Sequence, residues 1–207
     1  GAYLYFLYRP PGAGTAGHSC YNKDIKHKKD GMERPVKGGM DMDEIMKRGN
    51  TRKFKDQPVG DEEIQQLLRA AMQARTAGNQ TPWHFIVVRN EALIKALAHN
   101  SMTAGPIRKA PVALVLLGDS RGLTFPESWT MDLAAAAENI LIEAEHLGLG
   151  TLWISVYPHE DRIRHIRSLF EMPLEVTPFC IIPVGYPADR PIRLNHFDAS
   201  RIHYDAF

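Results

Sequence analysis

Apolar runs rich in β-branched residues constrain this chain most: HFIVVR at 84–89, VALVLLGD at 112–119, TLWISV at 151–156 and VTPFCIIPVGY at 176–186. Each is nearly unbroken rather than alternating, as in strands buried on both faces. Between the runs the period changes. GDEEIQQLLRAAMQA sets Ile64, Leu67, Leu68 and Ala71 at helical spacing, with Asp61 the expected N-cap and Glu62 and Glu63 in the first turn. Residues 129–148 predict the strongest helix. Leu133, Ala137, Ile140, Leu141, Ala144 and Leu147 line one face, and Gly148 or Gly150 can close it in a left-handed cap. Its alanines 134–137 let another backbone approach closely. MDEIMKR, EALIKALAH and HEDRIRHIRSLF supply shorter helices. Strands alternating with helices predict one sheet with both faces covered.

A chain of 207 residues can bury one sizeable core. Residues 1–39 differ from the rest: they contain PPGAGTAG, then KDIKHKKDG, and allow no apolar helical period. They hold seven Lys or Arg against three acids, so the chain's net +1 hides a basic segment ahead of a slightly acidic body. We read residues 1–39 as an N-terminal extension or leader, partly disordered unless docked, and 40–207 as the folded domain. The body has no basic stripe of the kind that binds nucleic acid. Cys20 and Cys180 make no disulfide framework, and Cys180, inside FCIIPV, suits a buried position. AYLYFLY is too short to span a bilayer, so the cytoplasm is the expected location.

Several motifs fail on context. GAGTAG at residues 12–17 satisfies G-x-G-x-x-G, but prolines precede it and no apolar helix follows. HEDRI begins like a zinc-protease motif and ends on Ile163 instead of histidine, so no metal is expected. G-x-S-x-G is absent. RGNTRKF at residues 48–54 is more informative. Arg48 and Arg52 flank Gly49, Asn50 and Thr51 where a helix ends, which is either a solvated basic turn or a phosphate clamp of guanidinium forks and short polar donors. TAGNQTPWHFIVV at 76–88 sets an amide, a hydroxyl and an indole on a loop feeding a strand, more than turn chemistry requires.

RGNTRKF, TAGNQTPWHFIVV, DLAAAAENILIEAEHLGLGTLWI and IIPVGYP, in this order, resemble the FMN-dependent nitroreductase family over residues 42–207. The resemblance implies an α+β fold of three layers (α/β/α), a mixed central sheet flanked by helices, and a homodimer exchanging its C-terminal segment. It implies one FMN per subunit, with Arg48, Gly49, Asn50 and Arg52 holding the phosphate and ribityl chain. Thr76 and Asn79 would lie along the flavin edge, and the backbone of Leu152, Trp153 and Ile154 would approach N5, the glycines of GLGT leaving room. Tail contacts fall to Arg193 and His196. This chain departs from the family at Arg75, where a proline is common, at Thr81 in place of glutamine, and at Leu194 and His196 in place of a basic pair. The implied activity is NADH or NADPH oxidation with ping-pong hydride transfer through flavin N5 to a nitroaromatic, quinone or similar small acceptor. A flavin-binding or flavin-sequestering protein with little turnover is the alternative, and an interaction domain without flavin a third.

Overall fold

Helix α1 (Asp43–Lys47) is followed by an extended segment and then α2 (Asp61–Met72). The N-cap of α2 is Gly60, not Asp61. Glu63, three residues on, accepts the Gly60 N–H at 2.6 Å, so a carboxylate inside the first turn does the work expected of an Asp61 cap. The other oxygen of Glu63 accepts from the Tyr186 hydroxyl at 2.5 Å, and this bond raises the Tyr186 pKa. The structure, a computed structural model, describes residues 43–189, 191 and 195–207, all within one unit spanning Asp41–Phe207. The expected leader 1–39, with its GAGTAG motif, and Arg193 lie outside the described residues.

Strand β1 (Trp83–Val88) leads to α3 (Glu91–Leu97), capped by the Asn90 side chain, and then to β2 (Val112–Asp119). Helix α4 (Trp129–His146) ends as expected at Gly148, which takes φ +69°. The Gly148 N–H reaches Glu145 O at 3.1 Å and the Leu149 N–H reaches Ala144 O at 2.7 Å, the two bonds of a Schellman cap. Two short strands, β3 (Gly150–Thr151) and β4 (Ile154–Ser155), precede α5 (Glu160–Leu169) and the long β5 (Val176–Gly185).

The strand order is β1-β2-β5-β3, with β4 also on β5, and every ladder is antiparallel. The expected mixed sheet is therefore corrected. Among the described residues, parallel pairing is confined to an isolated bridge between Asn50 and Thr151. Apolar runs joined by helices suggest parallel neighbours, but long connections serve antiparallel neighbours equally well.

Alternate residues of β2 divide the core. Val112, Leu114 and Leu116 pack with α2 and α4 on one face, whereas Ala113, Val115 and Leu117 pack with α3, Ile107 and α5 on the other. The sheet is thus covered on both faces, and Cys180 is fully buried in the first cluster, its thiol pKa raised by that burial. No helix among the described residues is long and apolar enough to cross a membrane.

Two irregularities in β5 shape the region beside it. The register with β2 slips so that Leu116 faces Cys180 while Leu117 faces Pro178, leaving Phe179 as the extra residue of a bulge. The Phe179 ring then meets Trp153 at 5.6 Å and Trp129 at 6.0 Å. Continuing the β3 register would set Leu152 opposite Pro183, which has no N–H, and the ladder lapses there. The expected single strand TLWISV is accordingly two, with Leu152 and Trp153 between them.

Candidate functional site

As α1 closes, with the Arg48 N–H bonded to Glu44 O at 2.9 Å, the chain turns onto β3. Thr51 N–H donates to Thr151 O at 2.8 Å, fixing residues 50–51 beside the GLGT segment. The approach is close: a Cβ on Gly150 would lie 2.4 Å from Thr51 Oγ1 and 2.7 Å from Thr51 Cβ. The glycines of GLGT therefore have roles in the fold besides the one the resemblance implies. Gly148 serves the helix cap and Gly150 makes room for Thr51, so the fold itself accounts for both. Gly150→Ala should lower stability by about 1–3 kcal/mol through overpacking. Thermal melting would show this as a Tm drop of roughly 2–12 °C.

Arg48 and Asn50 point the segment at two cavities. One, of about 430 Å3, is lined by Arg48, Gly49 and Asn50 with Asn195, His196 and Phe197 of the tail. The other, of about 470 Å3, is lined by Asn50 and Arg52, by Leu152, Trp153 and Ile154, and by Met102, Thr103 and Pro106. Asn50 borders both. Of the sequence-derived candidates, Arg48, Gly49, Asn50, Arg52, Leu152, Trp153, Ile154 and His196 are thus gathered in adjoining spaces.

Thr76 and Asn79 line neither cavity. Their loop is held elsewhere, by an anchor that sequence reasoning missed. Asp132, in the first turn of α4 and only 4 % exposed, accepts the Ala77 N–H at 2.9 Å and the Gln80 side-chain amide at 2.7 Å. The Gln80 amide also donates to Phe125 O at 3.0 Å, and its oxygen accepts the Phe125 N–H at 2.9 Å. The Thr76 hydroxyl accepts the Thr81 N–H at 3.4 Å, and Asn79 is exposed. Gly78, Asn79 and Thr81 take φ of +54°, +57° and +47°. A β-branched residue in that region is strained, and the Asp132 and Gln80 bonds hold the loop in place. Arg75 is exposed.

Some buried polar atoms lack a well-made hydrogen bond. Arg48 Nε is buried and makes no well-angled hydrogen bond, although it stands 3.0 Å from Glu138 Oε1. Asn100 is 5 % exposed, and both its amide nitrogen and its amide oxygen lack partners. It precedes Met102 and Thr103 at the wall of the second cavity. Buried amides are normally satisfied, so Asn100 is an exception within this fold, although it lines neither cavity. Guanidinium groups at one end and an apolar backbone edge at the other match a phosphorylated, planar heterocycle. Among the described residues no cluster of His, Cys, Asp and Glu could hold a metal.

Known proteins place this arrangement. A model of the Nitroreductase family matches residues 45–119 and 99–186. A Methanothermobacter thermautotrophicus protein with the provisional name NADH dehydrogenase/NAD(P)H nitroreductase is 42% identical over 167 residues, 80% of this chain and 87% of its own. A crystal structure provisionally named an NADH oxidase, from Clostridium acetobutylicum, superposes with TM-score 0.78 at 43% identity, over 80% of this chain and 100% of its own. The structure of an FMN-dependent nitroreductase from Clostridium difficile superposes with TM-score 0.73 at 28% identity, over 79% of this chain and 98% of its own. With its layered sheet, its paired cavities and these likenesses together, the chain belongs to the nitroreductase family.

Proposed function

We propose that this protein is an FMN-dependent NAD(P)H oxidoreductase that reduces a nitroaromatic, quinone or similar small acceptor. The observation that carries the reading is the convergence of Arg48, Asn50 and Arg52 with the ladder-free backbone of Leu152 and Trp153 around two cavities sharing Asn50. When bound, FMN would supply hydride chemistry at N5 between NADH or NADPH and the acceptor.

The chain's own residues bind, orient and exclude water. Arg48 and His196 face the space suited to the phosphate, where a guanidinium fork gives bidentate bonds. Arg52 would hold the polar edge of the ring, where its positive charge suits negative charge developing during hydride transfer. Leu152 and Trp153 lie outside the ladder yet are packed from behind, Trp153 on Phe179, which suits a firm edge against a flat ligand. No side chain is assigned as acid or base. The 76–79 loop lines neither cavity within one chain, so its contact with flavin would come from a second copy in a homodimer.

The visible spectrum of the purified protein tests this, recorded before and after anaerobic addition of NADH and then NADPH. A flavin band that bleaches on mixing and returns with air or a quinone is the expected result. A band that persists would favour the flavin-binding alternative, and no band after incubation with FMN would overturn the reading.

A further inference from the structure

Beside the second cavity lies a larger cleft, about 640 Å3, that neither the clamp nor the ladder gap accounts for. Arg52, Lys53, Lys55, Arg108 and Lys109 line it, against one carboxylate, Asp56. Both walls are firmly held. Residues 53–55 are extended: Ala188 N–H donates to Lys53 O at 2.9 Å, Lys55 N–H donates to Tyr186 O at 2.8 Å, and Phe54 bridges Pro187. Phe54 is buried, so the alternation of extended chain sends Lys53 and Lys55 to the opposite side. The other wall is the 3-10 turn Gly105–Lys109, pinned by fully buried Ile107.

Lys53 is partly neutralised by Asp189 at 3.2 Å, and Arg108 donates to His99 Nε2 at 2.7 Å. Arg52, Lys55 and Lys109 have no carboxylate partner among the described residues. Arg108 and Lys109 also line an adjoining space with His99 and with Lys95, which is paired with Glu91 at 2.5 Å. Cations gathered within about one Debye length repel one another, and a bound polyanion relieves that cost. The volume falls within the roughly 300–1,000 Å3 of small-molecule sites.

Position decides which anion. Arg52 borders both this cleft and the cavity of Leu152, Trp153 and Ile154, and the 105–109 turn lines both through Pro106 on one side and Arg108 and Lys109 on the other. With the flavin ring in that cavity, a donor whose flat head lies against the ring can lay a tail of several phosphates in the cleft. We propose that the cleft receives the phosphates of the nicotinamide donor and that its charge selects NADPH, with its additional 2′-phosphate, over NADH. This rests on the oxidoreductase reading above.

The test uses Lys55→Glu and Lys109→Glu in the FMN-loaded protein, with Arg164→Glu on the exposed face of α5 as a control. The wild type is expected to show a kcat/KM for NADPH at least about tenfold above that for NADH, and each cleft variant should cut that ratio about tenfold, mainly through KM. Calorimetric titration with 2′,5′-ADP should show the same loss, while 5′-AMP changes little and Arg164→Glu behaves as wild type. Equal use of both donors by the wild type, an unchanged ratio in both variants, or 2′,5′-ADP binding no tighter than inorganic phosphate would overturn the proposal. FMN content and bleaching by dithionite are measured in parallel. Their loss from every sample, wild type included, would defeat the flavin reading, and the 2′,5′-ADP titration still reports on the cleft by itself.

Discussion

Arg48→Ala is expected to weaken FMN retention by about tenfold to a hundredfold, the roughly 1.5–3 kcal/mol of one charge-assisted contact. The loss has two sources. The guanidinium fork facing the 430 Å3 cavity disappears, and Glu138, which had Arg48 Nε at 3.0 Å, remains as an uncompensated carboxylate beside the phosphate space. Arg48→Lys keeps the charge without the fork and should fall between. Arg69→Ala is the comparison: that side chain is exposed on α2 and bonds Gln65 at 3.3 Å. Fluorescence titration with FMN and flavin content after gel filtration measure the difference. If Arg48→Ala binds FMN as tightly as Arg69→Ala, the phosphate assignment is wrong.

Asp132→Ala is expected to cost about 2–4 kcal/mol, because it strands the Ala77 N–H and one bond of the Gln80 amide in a partly buried setting. It also removes a negative charge from the first turn of α4, where the helix dipole favours one. For a chain of this size the Tm should fall by roughly 4–16 °C. Hydrogen exchange at residues 76–81 should speed up by more than at α5, because the strained, left-handed Thr81 depends on these bonds. Asp132→Asn keeps an acceptor for Ala77 and should lose about half as much. An unchanged Tm with unchanged exchange in the loop would show that the Asp132 bonds do not hold it.

Much of the architecture was legible because period reports burial directly. The stripe through Ile64, Leu67 and Ala71 and the runs of β2 and β5 became the elements they predicted, with both sheet faces covered. Gly148 took the left-handed cap because few other residues tolerate that φ. Local chemistry was read less well wherever the partner is distant in sequence. Asp61 looks like an N-cap by type, yet Glu63 caps Gly60 and is itself tied to Tyr186. The proline in VTPFC was the one available sign of the bulge that turns Phe179 towards Trp153.

The candidate site divides along the same line. RGNTRKF singled out Arg48, Asn50 and Arg52 as candidates because their residue types suit an anion at a helix end. The residue types of the 76–81 loop could not show that Asp132, some fifty residues later, holds it, nor that Asn100 would be buried without a partner. Sequence alone determined the helices, the strands and the residue types offered to a ligand, since these depend on neighbours within a few positions. Tertiary structure decided strand direction, the lapse at Leu152 and Trp153, the sharing of Asn50 between two cavities and the meeting of Lys55 with Lys109 across one cleft. Those features depend on which segments become neighbours, and that is set by the packing of the whole core.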